Sequence, residues 1–253
     1  MGGFRVLVLG GYGFFGRRVL QRLSLQAGLE IVVAGRSLQK AQALVDGLPA
    51  AQAMKLDVGS EDFDAQLKAL APAVVVHTCG PFQGQAYRVA EACIAAGAHY
   101  IDLADGRDFV CGIGVLDRAA RTAGVAVISG ASSVPALSCA AADHLARTMD
   151  TVSEVDIGIS PGNRTERGLS TVQAILSYCG RPLPAPAGSR RFGWVGAWEQ
   201  AYPAPVGRRL LSPCDVPDLD LLPMRYPGRP DVRFGAGLEL RLLHRGLNLL
   251  ATL

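Results

Sequence analysis

Six residues near the amino terminus, Gly11-Tyr12-Gly13-Phe14-Phe15-Gly16, have the types and spacing to hold a pyrophosphate. In the pattern G-x-G-x-x-G the first glycine permits a tight turn. The second lets the backbone approach the diphosphate, and the third lets a helix pack closely on a strand. An apolar run, VLVLG, leads into the loop and helix-spaced residues follow it, so the loop opens a helix whose free N–H groups face the phosphates.

The ribose comes next. In folds of this kind an acid about 20 residues further on holds the 2′-hydroxyl of NAD, whereas an arginine there accommodates the 2′-phosphate of NADP. Counting on from Gly16 reaches Gly35-Arg36-Ser37 with no carboxylate, and Glu30 stands at the wrong end of that strand. Arg36 can pair with a 2′-phosphate while its plane covers the adenine, and Ser37 can donate a further bond. NADP(H) is therefore expected over NAD(H). Asp57 and Val58 close the third strand run, where Asp57 either accepts from the adenine amine or serves as a turn residue. Gly80-Pro81 after the fourth run is placed to bring backbone near the ribose and nicotinamide.

Redox chemistry on such a cofactor also needs a group to manage a proton. HYIDLADGRD offers Tyr100 and Asp102, two apart and so on one face of a strand, at the carboxyl end where ligands bind in open α/β sheets. The alternative for Asp102 is to cap the next helix or bond loop amides.

The elements that must position these residues recur as short β-branched runs: RVLVLG, EIVVAG, AMKLDV, AVVVHT, HYIDLA and VAVISG. Apolar on both faces, they suit a parallel sheet covered by helices on both sides. Helix spacing lies between them, as in Val19, Leu20 and Leu23, and in Val89, Ala92, Cys93 and Ala96. Gly28, Gly97 and Gly124 stand where left-handed C-caps are expected, and Ser37 and Ser60 where N-caps would open the second and third helices. The pattern predicts an α/β fold, a Rossmann-like doubly wound parallel sheet over residues 1–150, followed by a mixed α+β domain over 151–253. In that second part VDIGI reads as a strand with one wet face. The prolines crowd there, 11 of the 15 lying beyond residue 160. RLLHRGLNLLATL reads as a helix with Leu243, Leu247 and Leu250 on one face.

Composition narrows the function classes. A net charge of +3 does not argue for nucleic acid, and 22 arginines against three lysines read as a solvated surface. No run is apolar enough for a membrane span, and no signal peptide precedes the first strand run. Six cysteines without CxxC or Cys/His ligand spacing read as free thiols in a reducing compartment, without a metal site. A cytoplasmic protein acting on a small molecule is expected. GxSxG, GxxxxGK[ST] and HExxH are absent. Gly10-x-x-Gly13-x-x-Gly16 also fits the loop of short-chain dehydrogenases. Their chemistry needs a lysine four residues after a tyrosine, and Tyr87, Tyr100 and Tyr178 are followed at that spacing by Glu91, Ala104 and Pro182.

These segments together resemble the saccharopine dehydrogenase family of NADP-binding oxidoreductases. The resemblance is carried by VLVLGGYGFFG, AGRS, LDV and, above all, VVHTCGPFQGQAYRVAEACIAAGAHYIDLAD. It continues through SGASSVPALSCAAADHL and ISPGNRTERGLSTVQAILSYCGRPL, and so covers most of the chain. It implies a Rossmann domain, an NADP cofactor, and hydride transfer to an imine or from a secondary amine, with C=C reduction as the main variant. By carry-over Gly11, Gly13, Gly16, Arg36, Asp57, Cys79, Gly80 and Pro81 contact the cofactor. The implied substrate is a carboxylated amine or imine that Arg107, Arg164 or Arg167 would clamp, nothing in the sequence choosing among them. The rival reading is an NADP-binding sensor or scaffold without catalysis. A homodimer through the second domain is a further expectation.

Overall fold

The computed structural model describes residues 3–48, 50–166, 168–185 and 189–253. They form two compact units.

The first unit comprises residues 1–104 and 112–131. All six β-branched runs form strands: β1 (Phe4–Leu9), β2 (Leu29–Gly35), β3 (Ala51–Lys55), β4 (Val74–His77), β5 (His99–Asp102) and β6 (Val127–Ile128). They pair in parallel in the order β3-β2-β1-β4-β5-β6. The chain winds outward from β1 to β3, then returns to β4 on the other side. The switch between β1 and β4 opens a crevice at the strands' carboxyl ends, where this class of sheet binds ligands. Alternate residues feed opposite cores: Leu7, Leu9 and Val32 pack with Phe63 and Leu67, whereas Val6, Val8 and Ile31 pack with Leu20 and Ala41. Burial on both faces is what the continuous apolar runs require.

The helices of this unit are α1 (Phe14–Leu23), α2 (Leu38–Val45), α3 (Phe63–Leu70), α4 (Arg88–Ala96) and α6 (Asp117–Ala123), whereas α5 (Arg107–Gly112) falls almost wholly in the second unit. Gly97 and Gly124 are left-handed C-caps of α4 and α6, and the Ser37 hydroxyl accepts from Lys40 N at 3.3 Å to cap α2. Two expectations fail. Ser24 ends α1, so Gly28 (φ +81°) serves the turn into β2 instead. Asp62, not Ser60, occupies the N-cap of α3.

The second unit comprises residues 105–111 and 132–253, so the boundary falls near residue 131 and not at 150. The physical reason lies in ion pairs invisible to periodicity. Arg107, near the start of α5, binds Asp215 at 2.6 Å and Asp220 at 2.9 Å. In α7 (Ser138–Ala146), Asp143 binds Arg225 and accepts from the Tyr226 hydroxyl at 2.9 Å. Both segments belong with the residues that satisfy them.

The remaining elements are β7 (Glu154–Ile159), α8 (Leu169–Ser177), a short hairpin β8 (Pro182–Leu183) and β9 (Arg191–Phe192), β10 (Trp198–Ala201), β11 (Arg208–Pro213), α9 (Asp218–Arg225), β12 (Asp231–Ala236) and α10 (Arg241–Thr252). The main sheet, β10-β11-β12-β7, is mixed, with only β12 and β7 parallel. VDIGI lies in β7, whose exposure alternates from Glu154 to Ile157 and then breaks, Gly158 being half-buried and Ile159 exposed. Trp194, Phe234 and Leu222 centre the core.

Helix α10 forms, but it turns a different face inward. His244 and Ala251 are buried and Leu247 packs against the core, whereas Leu243 and Leu250 are half exposed. The cause is a buried polar cluster. Ser212 Oγ donates to Gly196 O at 2.7 Å and accepts from Asn248 Nδ2 at 2.8 Å. His244 Nδ1 accepts from Leu238 N, so Nε2 carries the proton and donates to Ser212 Oγ at 2.9 Å. A serine bonded to histidine in that sense cannot pass its proton to the ring, so this pair is an anchor and not a nucleophile with its base. Among the described residues no helix is long and apolar enough to cross a membrane.

Candidate functional site

The site is built from loops at the carboxyl ends of the first unit's strands. Between β1 and α1 the backbone is packed so closely that side chains are excluded. A Cβ on Gly16 would meet Gly10 O at 2.3 Å and Gly11 Cα at 2.6 Å, and one on Gly11 would meet Val33 Cγ1 at 2.7 Å. Gly13 donates to Gly10 O at 2.7 Å and is the N-cap of α1. No side chain caps this helix and no acid lies in its first turn, so its N-terminal amides remain available to an anion. Phe14 and Phe15 meet edge to face at 5.0 Å and fill the outside of the loop, with the Arg18 guanidinium over the Phe14 ring.

Gly10 belongs to this loop too, although G-x-G-x-x-G leaves it out. Its φ is +75°, and a Cβ there would meet Cys79 Sγ and Thr78 Oγ1 at 2.9 Å. The alternative spacing Gly10-x-x-Gly13-x-x-Gly16 had already included it.

At the end of β2 three residues come together. Tyr12 reaches over from the glycine loop, and a Cβ on Gly35 would lie 2.6 Å from its ring. The Tyr12 hydroxyl accepts from Ser37 N at 3.1 Å. Arg36 between them is exposed and makes no hydrogen bond or ion pair among the described residues. The first turn of α2 contains no acid. Donors thus collect at the end of β2 without a carboxylate of its own, an arrangement that fits an anionic group.

Past β3, Asp57 accepts from Gly59 N at 3.0 Å, which is the turn role, and Val58 is half-buried beside it. Past β4, Thr78 ties the strand end to Leu9 O at 2.8 Å. Cys79 is half-buried, its thiol pushed up to about 11 by burial and partly held back by the Arg36 charge. Gly80-Pro81 is a cis peptide, and Gln85 Nε2 braces the loop through Cys79 O at 3.0 Å. Gly11, Tyr12, Gly13, Phe14, Phe15 and Gly16 therefore share one end of the sheet with Arg36, Ser37, Asp57, Val58, Cys79, Gly80 and Pro81.

Tyr100 and Asp102 share a strand face as expected, but that face is closed. Their exposures are 1% and 0%, so neither presents an acid or base to a substrate. Asp102 Oδ1 accepts from Ala104 N and Gly130 N at 2.9 Å and from Ser129 Oγ at 3.0 Å, pinning the loops after β5 and β6. Loop bonding is thus the observed role. Tyr100 Oη lies 3.0 Å from His77 Nδ1. Burial, reinforced by the Asp102 charge, holds the phenol far above its ordinary value, and burial draws His77 down to about 4. His77 Nε2 and Asp102 Oδ2 are buried without a hydrogen-bond partner among the described residues. His77 is the residue that sequence reasoning passed over. Its only signal was a polar side chain ending an otherwise apolar strand.

The arginines proposed for a substrate sort themselves. Arg107 is spent on Asp215 and Asp220, Arg164 is exposed, and Arg167 lies outside the described residues.

A parallel sheet in this strand order, with a glycine loop after β1, an uncapped α1 and a donor cluster at β2, narrows the fold to dinucleotide binders. The family described as saccharopine dehydrogenase NADP binding domain matches residues 6–137. The chain belongs to that family. Members' NADP-binding region therefore corresponds to the sheet and loops described above and extends into the turn before α7.

Among solved structures, the apo saccharopine dehydrogenase (L-Glu forming) of Saccharomyces cerevisiae is similar at TM-score 0.60 and 18% identity, over 93% of this chain and 55% of that one. GenD2 from gentamicin A biosynthesis, solved in complex with NAD, is similar at TM-score 0.50 and 16% identity, over 94% of this chain and 66% of that one. At such identities the likeness is one of fold. The chain thus spans a little over half the length of the yeast enzyme. No curated protein matches it.

Proposed function

We propose that the protein is an NADP(H)-dependent oxidoreductase of the saccharopine dehydrogenase type, acting at a C–N bond of a carboxylated imine or secondary amine. The observation that carries the cofactor preference is the end of β2, where the exposed Arg36, the Ser37 hydroxyl and an acid-free helix start stand in place of a carboxylate. When bound, the cofactor supplies the hydride. The chain supplies the rest: the α1 amides hold the diphosphate, the Gly10–Gly16 packing lets backbone approach it, and Arg36 holds the 2′-phosphate. The C–N assignment rests on the family resemblance, with C=C reduction as the variant.

Burial of Tyr100 and Asp102 favours a second reading, an NADP-binding module that senses or scaffolds without turning over. Binding and turnover separate the claims. Arg36→Ala should weaken NADPH about 10- to 100-fold, as expected for losing hydrogen bonds to a charged group, and leave NADH nearly unchanged. NADH binding as tightly as NADPH, with Arg36→Ala harmless, removes the cofactor claim. NADPH oxidation across keto acid and amine mixtures, compared with enoyl substrates, then tests the chemistry. Turnover only with the enoyl set moves the reaction to C=C, and none at all with the natural full-length protein supports the sensor.

A further inference from the structure

The donor cluster at β2 contains one side chain that comes from the phosphate loop and not from β2. Tyr12 sits between the first two glycines of the fingerprint, yet its ring crosses to lie against Gly35. Its hydroxyl oxygen takes the Ser37 backbone N–H at 3.1 Å. One lone pair is thereby occupied, and the phenol's own hydrogen has no acceptor among the described residues. Ser37 Oγ is likewise committed as an acceptor, to Lys40 N at 3.3 Å.

The consequence is a bias in hydrogen-bonding sense. Arg36 can only donate, and Tyr12 and Ser37 have each spent acceptor capacity on a backbone amide. Neither the end of β2 nor the first turn of α2 carries a carboxylate, and the acid at the end of β3, Asp57, has one oxygen on Gly59 N. A phosphate offers only acceptors, so it matches such a set. A free 2′-hydroxyl must find an acceptor for its own hydrogen, and the groups best placed have part of theirs already used.

We propose that Tyr12 is a specificity-determining residue for the phosphorylated adenosine ribose, donating its O–H to the 2′-phosphate while Ser37 N–H fixes the phenol in place. This rests on the NADP(H) reading above. It adds that the choice between the two dinucleotides is made partly from within the glycine loop and not only by Arg36. Gly35 then has a second task. It leaves room for the ring, since any Cβ would lie 2.6–2.8 Å from Tyr12 ring and hydroxyl atoms.

Tyr12→Phe is the appropriate variant, because it keeps the ring against Gly35 and removes only the hydroxyl. Equilibrium binding of NADPH and NADH is measured by fluorescence on wild type and variant, with thermal unfolding to verify the fold. Adenosine 2′,5′-bisphosphate and AMP serve as probes that lack the nicotinamide. The expected result is a loss of about tenfold for NADPH and for the bisphosphate, with NADH and AMP changed less than about twofold. Equal losses for both members of each pair would overturn the inference, since Tyr12 would then merely shape the loop. Unchanged or tighter NADPH binding would overturn it as well, because the phenol would be occupying an amide that the phosphate prefers. In either case a wild type that favours NADPH leaves the cofactor reading intact. A wild type that binds the two dinucleotides equally overturns that reading and this inference together.

Discussion

The buried His77 makes a quantitative prediction about acid stability. Its ring lies 3.0 Å from the Tyr100 hydroxyl and edge-on to Phe82, 1% exposed, and burial lowers it from its ordinary 6.5 to about 4. Between those values the unfolded chain takes up a proton that the folded chain refuses. A lowered folded value means that the contribution is present in full above about pH 6.5 and is lost as the pH falls toward 4. At about 1.4 kcal/mol per unit of separation, His77 alone should cost about 2 kcal/mol on going from about pH 7.5 to 5, and about 3 kcal/mol below the folded value. His77→Gln removes the titration while its amide can still meet Tyr100. The assay is urea denaturation followed by far-ultraviolet circular dichroism, because Trp194 and Trp198 both lie in the second unit and their fluorescence reports on that unit. The other titrating groups are common to both proteins and cancel in the difference. The variant should therefore lose about 2 kcal/mol less than wild type across that interval. Equal losses would refute the reasoning and mean that the ring is hydrated or charged in the folded protein.

Gly16→Ala places a methyl 2.3 Å from Gly10 O, a backbone contact that no side-chain movement relieves, so it should cost about 1–3 kcal/mol of stability and weaken both dinucleotides severely in a binding titration. Ser212→Ala leaves Gly196 O, His244 Nε2–H and an Asn248 N–H without their shared partner, and tryptophan-detected urea denaturation should show a loss of about 2–4 kcal/mol. NADPH affinity should not change in that variant, since Ser212 lies in the second unit.

The resemblance and the pattern reached different depths in different places. VLVLG, EIVVAG and AVVVHT announced a two-sided parallel sheet because a strand buried on both faces has no polar residues to spare. GGYGFFG announced the phosphate loop because only glycine permits backbone atoms to approach so closely. Arg36 was legible by counting, since the length of one strand-helix unit places the end of β2. Tyr100 and Asp102 show where counting stops. Their spacing placed them together on one strand face, but whether that face is open depends on His77, Ser129 and Gly130, which lie 23 to 28 residues away from their partners in sequence.

Local periodicity and glycine placement are properties of the sequence alone, and they determined the sheet and the glycine loop, while the family was read from the resemblance of VVHTCGPFQGQAYRVAEACIAAGAHYIDLAD and the segments around it. Which polar groups meet was decided by tertiary structure. Arg107 is drawn into the second unit by two aspartates more than 100 residues away, and Tyr12 is carried from the phosphate loop to the amide of Ser37. A hydrogen bond or ion pair depends on the separation of two atoms in space, and only the folded chain sets that separation for residues far apart in sequence.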